Sequence, residues 1–350
     1  MKKYVINGLF MCERLSGIHR YAIEILKRID KIINDQNISI EILAPFDIVE
    51  AWRPKTIKLV KAEVKRTRFA KHWWMNVTLP RYASSNNATV VNLCNTGPLF
   101  NSGITCIHDI NYKTNPEFFP WKKRIIPTVY YYFLTRNSKH IVTVSGYSKS
   151  RLEKYYGVSD DRITVIGNGW EHIESYEEDR TVLDKFDLSN KGYYLSIGNI
   201  SPHKNLLWVI NEANNNTQEK FVIIGDNVFG IATNDTPDIP ENVLFVGRVP
   251  DEAVKTLMLN AKALLFPSFC EGFGIPPLEM LALGGNAIVA EVSCMPEIFG
   301  KAVAYIDPKK ADYNLKDISF DGMEIFMERV LQENNWNDSA KKWMELLKRV

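Results

Sequence analysis

The sequence predicts an α/β protein with two domains, each built around a parallel sheet. In both halves of the chain, short apolar runs alternate with stretches whose apolar residues recur at helical spacing, which is typical of parallel strands covered by helices. A polar joint rich in turn residues, Gly167–Glu174, lies between the two halves. The predicted domains are therefore 1–170 and 171–335, followed by a closing helix over 336–350.

Each half contains its own series of strand candidates. In the first half, Tyr4–Ile6 precedes a helix whose apolar face recurs from Ile18 to Ile33. The other strand candidates of that half are Ile38–Leu43, Thr89–Leu93, Ile104–Ile107, Ile141–Val144 and Ile163–Ile166. Those of the second half are Tyr193–Ile197, Phe221–Ile224, Val243–Val246, Ala263–Phe266 and Ala287–Val292, with helices over Pro250–Asn260 and Pro276–Leu283. Ligands of open α/β sheets bind beyond the carboxyl ends of strands, so residues that follow these runs are candidate site residues.

Composition indicates an ordinary soluble globular protein. The 350 residues are 45% hydrophobic and 24% charged, which suits two domains with separate cores. A net charge of +2 does not indicate a nucleic-acid partner. The five cysteines include no Cys-x-x-Cys pair, so neither disulfides nor a zinc site are predicted. The chain shows no signal-peptide pattern and no apolar run of about 18 residues, which predicts a cytoplasmic protein.

One stretch, Leu264–Leu281, combines a buried strand, a glycine loop and the start of a helix. The loop glycines allow a ligand close to the backbone, and the N-terminus of the helix favours a phosphate. Glu271 in the loop and Glu279 in the first helical turn would flank one pocket. Spacing alone leaves open whether Glu279 binds a ligand or complements the helix dipole. Glu271 has no capping role, which favours a ligand.

The same stretch resembles a family signature. The two glutamates stand in the frame Pro-Ser-x-x-Glu-Gly-Phe-Gly-Ile-Pro-Pro-Leu-Glu, which is similar to the motif of glycosyltransferase family 4, the glycosyl transferases group 1. The resemblance implies the GT-B fold, in which two Rossmann-like domains face each other across a cleft and a C-terminal helix crosses back to the first domain. It also implies a retaining, metal-independent enzyme that uses a nucleotide-sugar.

That resemblance assigns roles around the donor. Glu279 would bind the ribose hydroxyls, and Glu271 would hold a hydroxyl of the donor sugar. The backbone amides of Phe273, Gly274 and Ile275 would position the sugar and its phosphate.

A second anchor follows the strand Tyr193–Ile197. There Gly198 and Lys204 offer backbone amides and one point charge to a diphosphate. Alone, a lysine in such a loop is more often a solvated surface residue. The segment is similar to the family's Gly-x-x-x-x-x-Lys-Asn, whose lysine binds the donor pyrophosphate.

Two positions in that segment depart from the family. Asn199, a predicted donor contact, and His203 stand where an arginine is common, which reduces the positive charge. Arg248, followed by Val249 after another predicted strand, would supplement that charge on the donor side.

Other phosphate and metal motifs are absent from the sequence. It contains no Gly-x-x-x-x-Gly-Lys-Ser/Thr and no Gly-x-Gly-x-x-Gly, which disfavours a P-loop enzyme and a nucleotide-dependent oxidoreductase. It also contains no Asp-x-Asp, the pair by which the other main glycosyltransferase fold holds a divalent ion. Neither a cofactor nor a metal is therefore predicted.

Residues of the first half extend the resemblance. His108 and Asp109 end an apolar strand, and although a histidine there is usually structural, the pair resembles a family segment whose histidine contacts the transferred sugar. Gly17 and Arg20 resemble the family's first loop and helix start, where the glycine lets the helix approach the donor phosphate or the acceptor. For Arg20, a diphosphate contact and a surface ion pair both remain open. Asn95 lies in the next loop and also matches the family.

A basic stretch, Lys58–Lys71, leads to Trp73 and Trp74 with only Glu63 opposing it. A solvated face explains such a run, but cations beside tryptophans are also typical of a membrane-surface site. The segment Trp121–Phe133 would extend that site. Both interpretations stay open, and the second predicts a peripheral contact with anionic lipid on the inner face of the cell membrane.

The sequence therefore predicts a hexosyltransferase of bacterial surface polysaccharide synthesis, with mannose among the candidate sugars. The second domain would bind the nucleotide-diphosphate sugar, and the first a glycan or lipid-linked saccharide. Lys204, Glu271 and His108 are the predicted catalytic residues. A phosphorylase- or epimerase-like enzyme on the same fold and a non-catalytic nucleotide-sugar-binding protein remain as alternatives.

Overall fold

The computed structural model describes residues 1–33, 37–62, 64–65, 67–198, 201–225 and 238–350. These residues form two compact units, Met1–Asn168 with Trp336–Val350, and Gly169–Asn335. Each unit contains a parallel sheet with helices, so the predicted α/β fold class is confirmed. No described helix is long and apolar enough to cross a membrane.

The first unit contains a seven-stranded parallel sheet in the order β3-β2-β1-β4-β5-β6-β7. Its strands are β1 (Lys2–Asn7), β2 (Ile38–Ala44), β3 (Lys58–Lys61), β4 (Thr89–Asn92), β5 (Gly103–Cys106), β6 (Ser138–Thr143) and β7 (Ile163–Val165). Edge strand β3 was predicted only as part of the basic stretch, and it pairs with β2 so that Lys58 stands beside Glu41. The strand order reverses between β1 and β4, the kind of switch point at which open α/β sheets bind ligands.

The helices of the first unit include the end of the chain. They are α1 (Gly17–Ile32), α2 (Ala70–Trp73), α3 (Leu79–Ser85), α4 (Asn111–Thr114), α5 (Lys122–Asn137) and α6 (Gly146–Tyr156), with a π-helical turn at Trp74–Thr78 and 3₁₀ turns at Gly8–Cys12, Pro116–Phe118 and Asp160–Arg162. The C-terminal helix, Trp336–Arg349, packs on α1, where Trp343 Nε1 donates to the Tyr21 hydroxyl at 2.7 Å. The chain therefore returns to its first unit, as predicted.

The second unit contains a six-stranded parallel sheet in the order β10-β9-β8-β11-β12-β13. Its strands are β8 (Tyr193–Ile197), β9 (Lys220–Ile224), β10 (Val243–Gly247), β11 (Ala263–Phe266), β12 (Ala287–Ala290) and β13 (Ala304–Ile306). The order reverses between β8 and β11. The helices are α7 (Glu171–Glu174), α8 (Thr181–Phe186), α9 (Leu206–Asn215), α10 (Asp251–Leu259), α11 (Ile275–Ala282), α12 (Met295–Phe299) and α13 (Glu324–Glu333), with 3₁₀ turns at Pro202–Lys204 and Leu315–Asp317.

One carboxyl group is buried inside the second unit. Glu212 on α9 is completely buried, and its oxygens accept the Tyr313 N–H and the Asn216 side-chain amide, each at 3.1 Å. Burial, with a smaller effect of Asp312, raises the pKa of Glu212 to about 7. The folded state therefore favours the protonated carboxyl.

Replacing Glu212→Gln should weaken the pH dependence of stability. Because the folded-state pKa exceeds the ordinary value of 4.5, wild-type stability falls as the pH rises from about 4.5 through about 7. Between pH 5 and pH 8 we expect the wild type to lose on the order of 2 kcal/mol more free energy of unfolding than the variant. Urea unfolding at both pH values measures the difference, and equal losses in the two proteins would contradict the assignment.

Candidate functional site

Two loops leave the sheet of the second unit where its strand order reverses. Strands β8 and β11 are neighbours, with Leu265 beside Ser196. Gly198 and the turn Pro202–Lys204 follow β8, and the loop with Glu271 follows β11. Because both strands end at the same edge, the two predicted donor-binding segments lie together.

The centre of this edge is an ion pair between two predicted catalytic residues. Lys204 Nζ lies 2.6 Å from Glu271 Oε1, and the two side chains are 26% and 14% exposed. The ammonium also lies 5.5 Å from the centroid of the Phe266 ring. At Gly198, an added Cβ would come within 3.8 Å of Lys204 Cγ, so the lysine stem crosses that glycine. Lys204 is therefore a positioned cation rather than a freely solvated one.

Asn205 connects the two loops. Its backbone is left-handed (φ 57°), a conformation that asparagine tolerates better than most residues. Its side-chain amide donates to Pro267 O at 3.1 Å and to Pro308 O at 2.8 Å, and Phe269 N–H donates to His203 O at 2.8 Å. In the sequence, Asn205 is marked only by its place in the Lys-Asn match, and nothing there indicates this bridging role.

The loop of Glu271 is held from behind by the residues after β12. Glu271 N–H donates to Ser293 Oγ at 3.2 Å, and the Cys294 thiol donates to the carbonyl oxygens of Glu271 and Phe273 at 3.4 and 3.3 Å. Burial raises the pKa of Cys294 well above its ordinary value, which keeps the thiol a donor. Gly274 has φ 104°, and a Cβ there would meet Met295 at 2.9 Å. Phe273 and Gly274 are buried, and Ile275 is half-buried.

Glu279 has a partner that sequence analysis did not identify. Its Oε1 lies 2.6 Å from Nε2 of His172, whose side chain is almost completely buried. His172 belongs to α7, in the polar joint 107 residues earlier. In the sequence, His172 is marked only as a member of the polar joint between the two halves. The pair orients the Glu279 carboxylate in the second turn of α11. The expectation that Glu279 lies in the first helical turn is therefore wrong, because the helix already begins at Ile275 and its first turn contains no acidic residue.

The remaining residues predicted to bind the donor are Arg248, Val249 and Asn199. Arg248 and Val249 follow β10, an edge strand that β9 separates from β8. Burial, and then the charge of Lys204, lower the pKa of His203, so it does not replace a permanently charged arginine. Asn199 lies outside the described residues.

In the first unit, His108 is a buried, neutral residue. Its Nε2 lies 2.9 Å from Leu93 O, which requires a proton on that nitrogen. Burial lowers the pKa of His108 to about 4. Its backbone N–H donates to Oδ1 of Asn95 at 2.6 Å, so two predicted residues are brought together. Asp109 follows, and its carboxylate accepts the N–H of Asn111 at 3.1 Å.

A cavity of about 530 Å³ lies at the switch point of the first unit, between the loops that follow β1 and β4. Its walls are mainly apolar, and Asn95 is among its lining residues. A polar cluster at the cavity contains Glu13, which pairs with His19 at 3.6 Å and also with Lys71. The sequence gives no sign of this cluster, because Lys71 is 58 residues from Glu13 in the chain.

Gly17 and Arg20 lie at the N-terminus of α1. Ser16 caps that helix by accepting the N–H of His19, which lines the cavity. Gly17 is exposed and Arg20 is half-buried. The helix start thus places these two predicted residues near the same switch point.

Three of the five described cations of the basic stretch are paired with carboxylates. Lys58 pairs with Glu41 at 2.9 Å, Lys61 with Asp47 at 2.5 Å, and Lys71 with Glu13. Arg66 and Glu63 lie outside the described residues.

The two tryptophans that follow differ. Trp73 is exposed, but Trp74 is completely buried, with its Nε1 3.3 Å from Asn7 Oδ1. The expectation that Trp74 contributes to a membrane surface is therefore wrong, because its ring packs in the core.

Among the described residues, no group of three or more His, Cys, Asp and Glu side chains is placed to bind a metal ion.

Known proteins share this sequence pattern and architecture. O-antigen chain mannosyltransferase B of Escherichia coli is 28% identical over 68% of this chain and 63% of that protein. The chain spans less than two thirds of the length of the first curated relatives it matches. Sucrose-phosphate synthase from Thermosynechococcus elongatus superimposes with a TM-score of 0.75 and 12% identity over 100% of this chain and 99% of that one. HepE from Anabaena, solved in complex with UDP, superimposes with a TM-score of 0.70 and is 14% identical over the full length of both chains.

Two family models match the chain in succession. The model of Glycosyltransferase Family 4 matches residues 15–172, and that of Glycosyl transferases group 1 matches residues 179–320. The second match contains both loops of the Lys204–Glu271 pair, and the first contains β4 and most of the residues that line the cavity. The chain therefore belongs to glycosyltransferase family 4, the glycosyl transferases group 1.

Proposed function

We propose that this protein is a retaining hexosyltransferase of bacterial surface polysaccharide synthesis that takes its sugar from a nucleotide-diphosphate sugar. The second unit binds the donor, and the first binds a glycan or lipid-linked saccharide. The observation that carries this proposal is the Lys204–Glu271 pair at the switch point of the second sheet. Mannose is the first candidate sugar, since the E. coli relative is named a mannosyltransferase. The UDP complex of HepE supports a nucleoside diphosphate as the leaving group.

The donor diphosphate competes with Glu271 for Lys204. When the diphosphate binds, the ammonium turns from the carboxylate to the phosphate oxygens, and charge that develops on the leaving group is stabilised. The positive end of the α11 helix dipole adds to this stabilisation of the leaving group. Glu271 is then available to accept a hydroxyl of the sugar close to the reacting carbon.

Group transfer itself needs no protein nucleophile in this proposal. The bond between the anomeric carbon and the phosphate oxygen breaks, and the acceptor oxygen bonds to that carbon on the same face. The hydroxyl proton of the acceptor passes to the departing phosphate. His108 contributes as a neutral hydrogen-bonding group, because its pKa of about 4 leaves it uncharged at neutral pH. No metal is assigned a role.

Glu279 and His172 serve the nucleotide end. The imidazole holds Oε1 of Glu279 at 2.6 Å, which fixes the carboxylate toward the ribose hydroxyls. Asn205 is a positioning residue, because it holds the loop of Lys204 against the loop of Glu271.

Lys204→Ala should lower kcat by about 100-fold or more, because it removes charge stabilisation that grows as the diphosphate departs. Glu271→Gln retains the size of the side chain but loses its charge, and we expect it to lower kcat more than the donor KM. The measurement is acceptor-dependent release of nucleoside diphosphate from the donor. Lys262→Ala is the matched control, since it breaks a comparable pair with Glu219 at the opposite end of β11. Wild-type kcat in folded Lys204→Ala would refute the assignment.

Glu279→Ala should mainly raise the donor KM. A hydrogen bond to a charged group contributes roughly 1.5–3 kcal/mol, which corresponds to an increase of roughly 10- to 150-fold. His172→Ala should raise the same KM by a smaller factor with kcat nearly unchanged, because it frees the carboxylate without removing it. Steady-state kinetics on variants with near-wild-type melting temperatures provide the test. A merely structural pair would instead lower the melting temperature and leave both constants unchanged per folded molecule.

A further inference from the structure

Helix α5 has one apolar face that is exposed to solvent, in addition to the face that it buries in the core. Its residues Ile125, Ile126 and Val129 are 54%, 75% and 52% exposed. They follow each other at helical spacing, so they form one stripe on the surface. The opposite side of the helix is buried in the core through Tyr131 and Leu134. A helix that is apolar on its solvent side marks an interaction surface.

Cations surround this stripe, and residues 121–137 contain no aspartate or glutamate. Lys122, Lys123 and Arg124 occupy the first turn, where positive charge opposes the helix dipole and lowers helix stability. At the other end, the Arg136 guanidinium lies 4.3 Å from the centroid of the Tyr132 ring. Helix stability therefore does not explain the three cations of the first turn, whereas an anionic partner does.

The exposed face adjoins the cavity of the first unit. Ile126, Pro127 and Tyr130 of α5 line one side of that cavity, and Lys71 and His72 of α2 line another. The α2 segment exposes one aromatic ring at each of its ends. A ligand in the cavity would therefore lie between two surfaces that expose apolar side chains, Phe69 and Trp73 among them.

We propose that α5 docks the first unit on an anionic phospholipid bilayer, so that the adjoining cavity receives the saccharide end of a lipid-linked acceptor. This inference rests on the proposed function and narrows its acceptor class. The aliphatic stripe enters the boundary between headgroups and acyl chains, and the cations of the first turn contact lipid phosphates. Trp121 is exposed, and Lys122 Nζ lies 5.6 Å from the centroid of its ring. An exposed tryptophan beside a cation is typical of the headgroup region of a membrane.

This surface differs from the predicted Lys58–Lys71 stretch. In that stretch, Lys58, Lys61 and Lys71 already face carboxylates, which reduces their attraction to lipid phosphates. The cations of α5 stand in a helix without acids and beside an apolar stripe. Charge and apolar area thus coincide on α5.

Sedimentation of the full chain with vesicles tests the docking. The wild type should bind vesicles of phosphatidylglycerol and phosphatidylcholine much more tightly than pure phosphatidylcholine. Replacing Lys122, Lys123 and Arg124 by glutamine should lower the partition coefficient on the order of 100-fold. Ile125→Glu with Val129→Glu should abolish binding. Two control variants should bind vesicles like the wild type. The first is Ile325→Glu, which changes a residue on α13 that is 74% exposed, and the second is the double variant Lys58→Gln with Lys61→Gln.

A second readout compares acceptors. The α5 variants should retain wild-type rates with a short water-soluble saccharide and lose most of their rate when the same saccharide is linked to a lipid in vesicles. Circular dichroism and melting temperature confirm their folding. The proposal is overturned if the wild type ignores anionic vesicles, if the α5 variants bind like it, or if light scattering shows that Ile125→Glu with Val129→Glu instead dissociates a dimer. Absence of transfer to every acceptor would refute the proposed function, whereas normal transfer without vesicle binding refutes docking alone.

Discussion

The ion pair between Lys204 and Glu271 is the contact on which the proposed donor site depends. A partly exposed pair of this kind contributes little to stability. The fold nevertheless fixes both partners, since Asn205 bridges their loops and Ser293 and Cys294 hold the Glu271 loop from behind. A function for this arrangement follows if the pair holds the Lys204 ammonium in position for an incoming diphosphate. The carboxylate balances the charge until the ligand replaces it.

The two units differ in the chemistry that their switch points present. In the second unit, the edge between β8 and β11 is polar and charged, which suits a diphosphate and a ribose. In the first unit, the edge between β1 and β4 opens into a mainly apolar cavity with a small cluster around Glu13. The same sheet topology therefore presents two chemically different edges, because the loops and not the strands determine the chemistry of each edge.

Much of the fold could be predicted from sequence because strand and helix periodicity are local signals. Alternating runs located eleven of the strands, but β3 and β13 escaped. Both are edge strands: β3 has a lysine at each end, and β13 combines a length of three residues with a half-buried tyrosine at its centre. The glycine frame also located Glu271 and Glu279. Contacts between residues far apart in the chain, such as His172 with Glu279, could not be predicted from local patterns. The same holds for the burial of Trp74, which depends on packing around Asn7.

Calorimetric titration with a free nucleoside diphosphate tests the central claim most directly. The probe is whichever of ADP, GDP or UDP stabilises the wild type most against heat. If Glu271 competes with the diphosphate for Lys204, Glu271→Gln should bind this ligand several-fold more tightly than the wild type while turning over more slowly. In the Lys204→Ala background, the same substitution should change affinity little. Equal or weaker binding by Glu271→Gln with Lys204 intact would contradict the account.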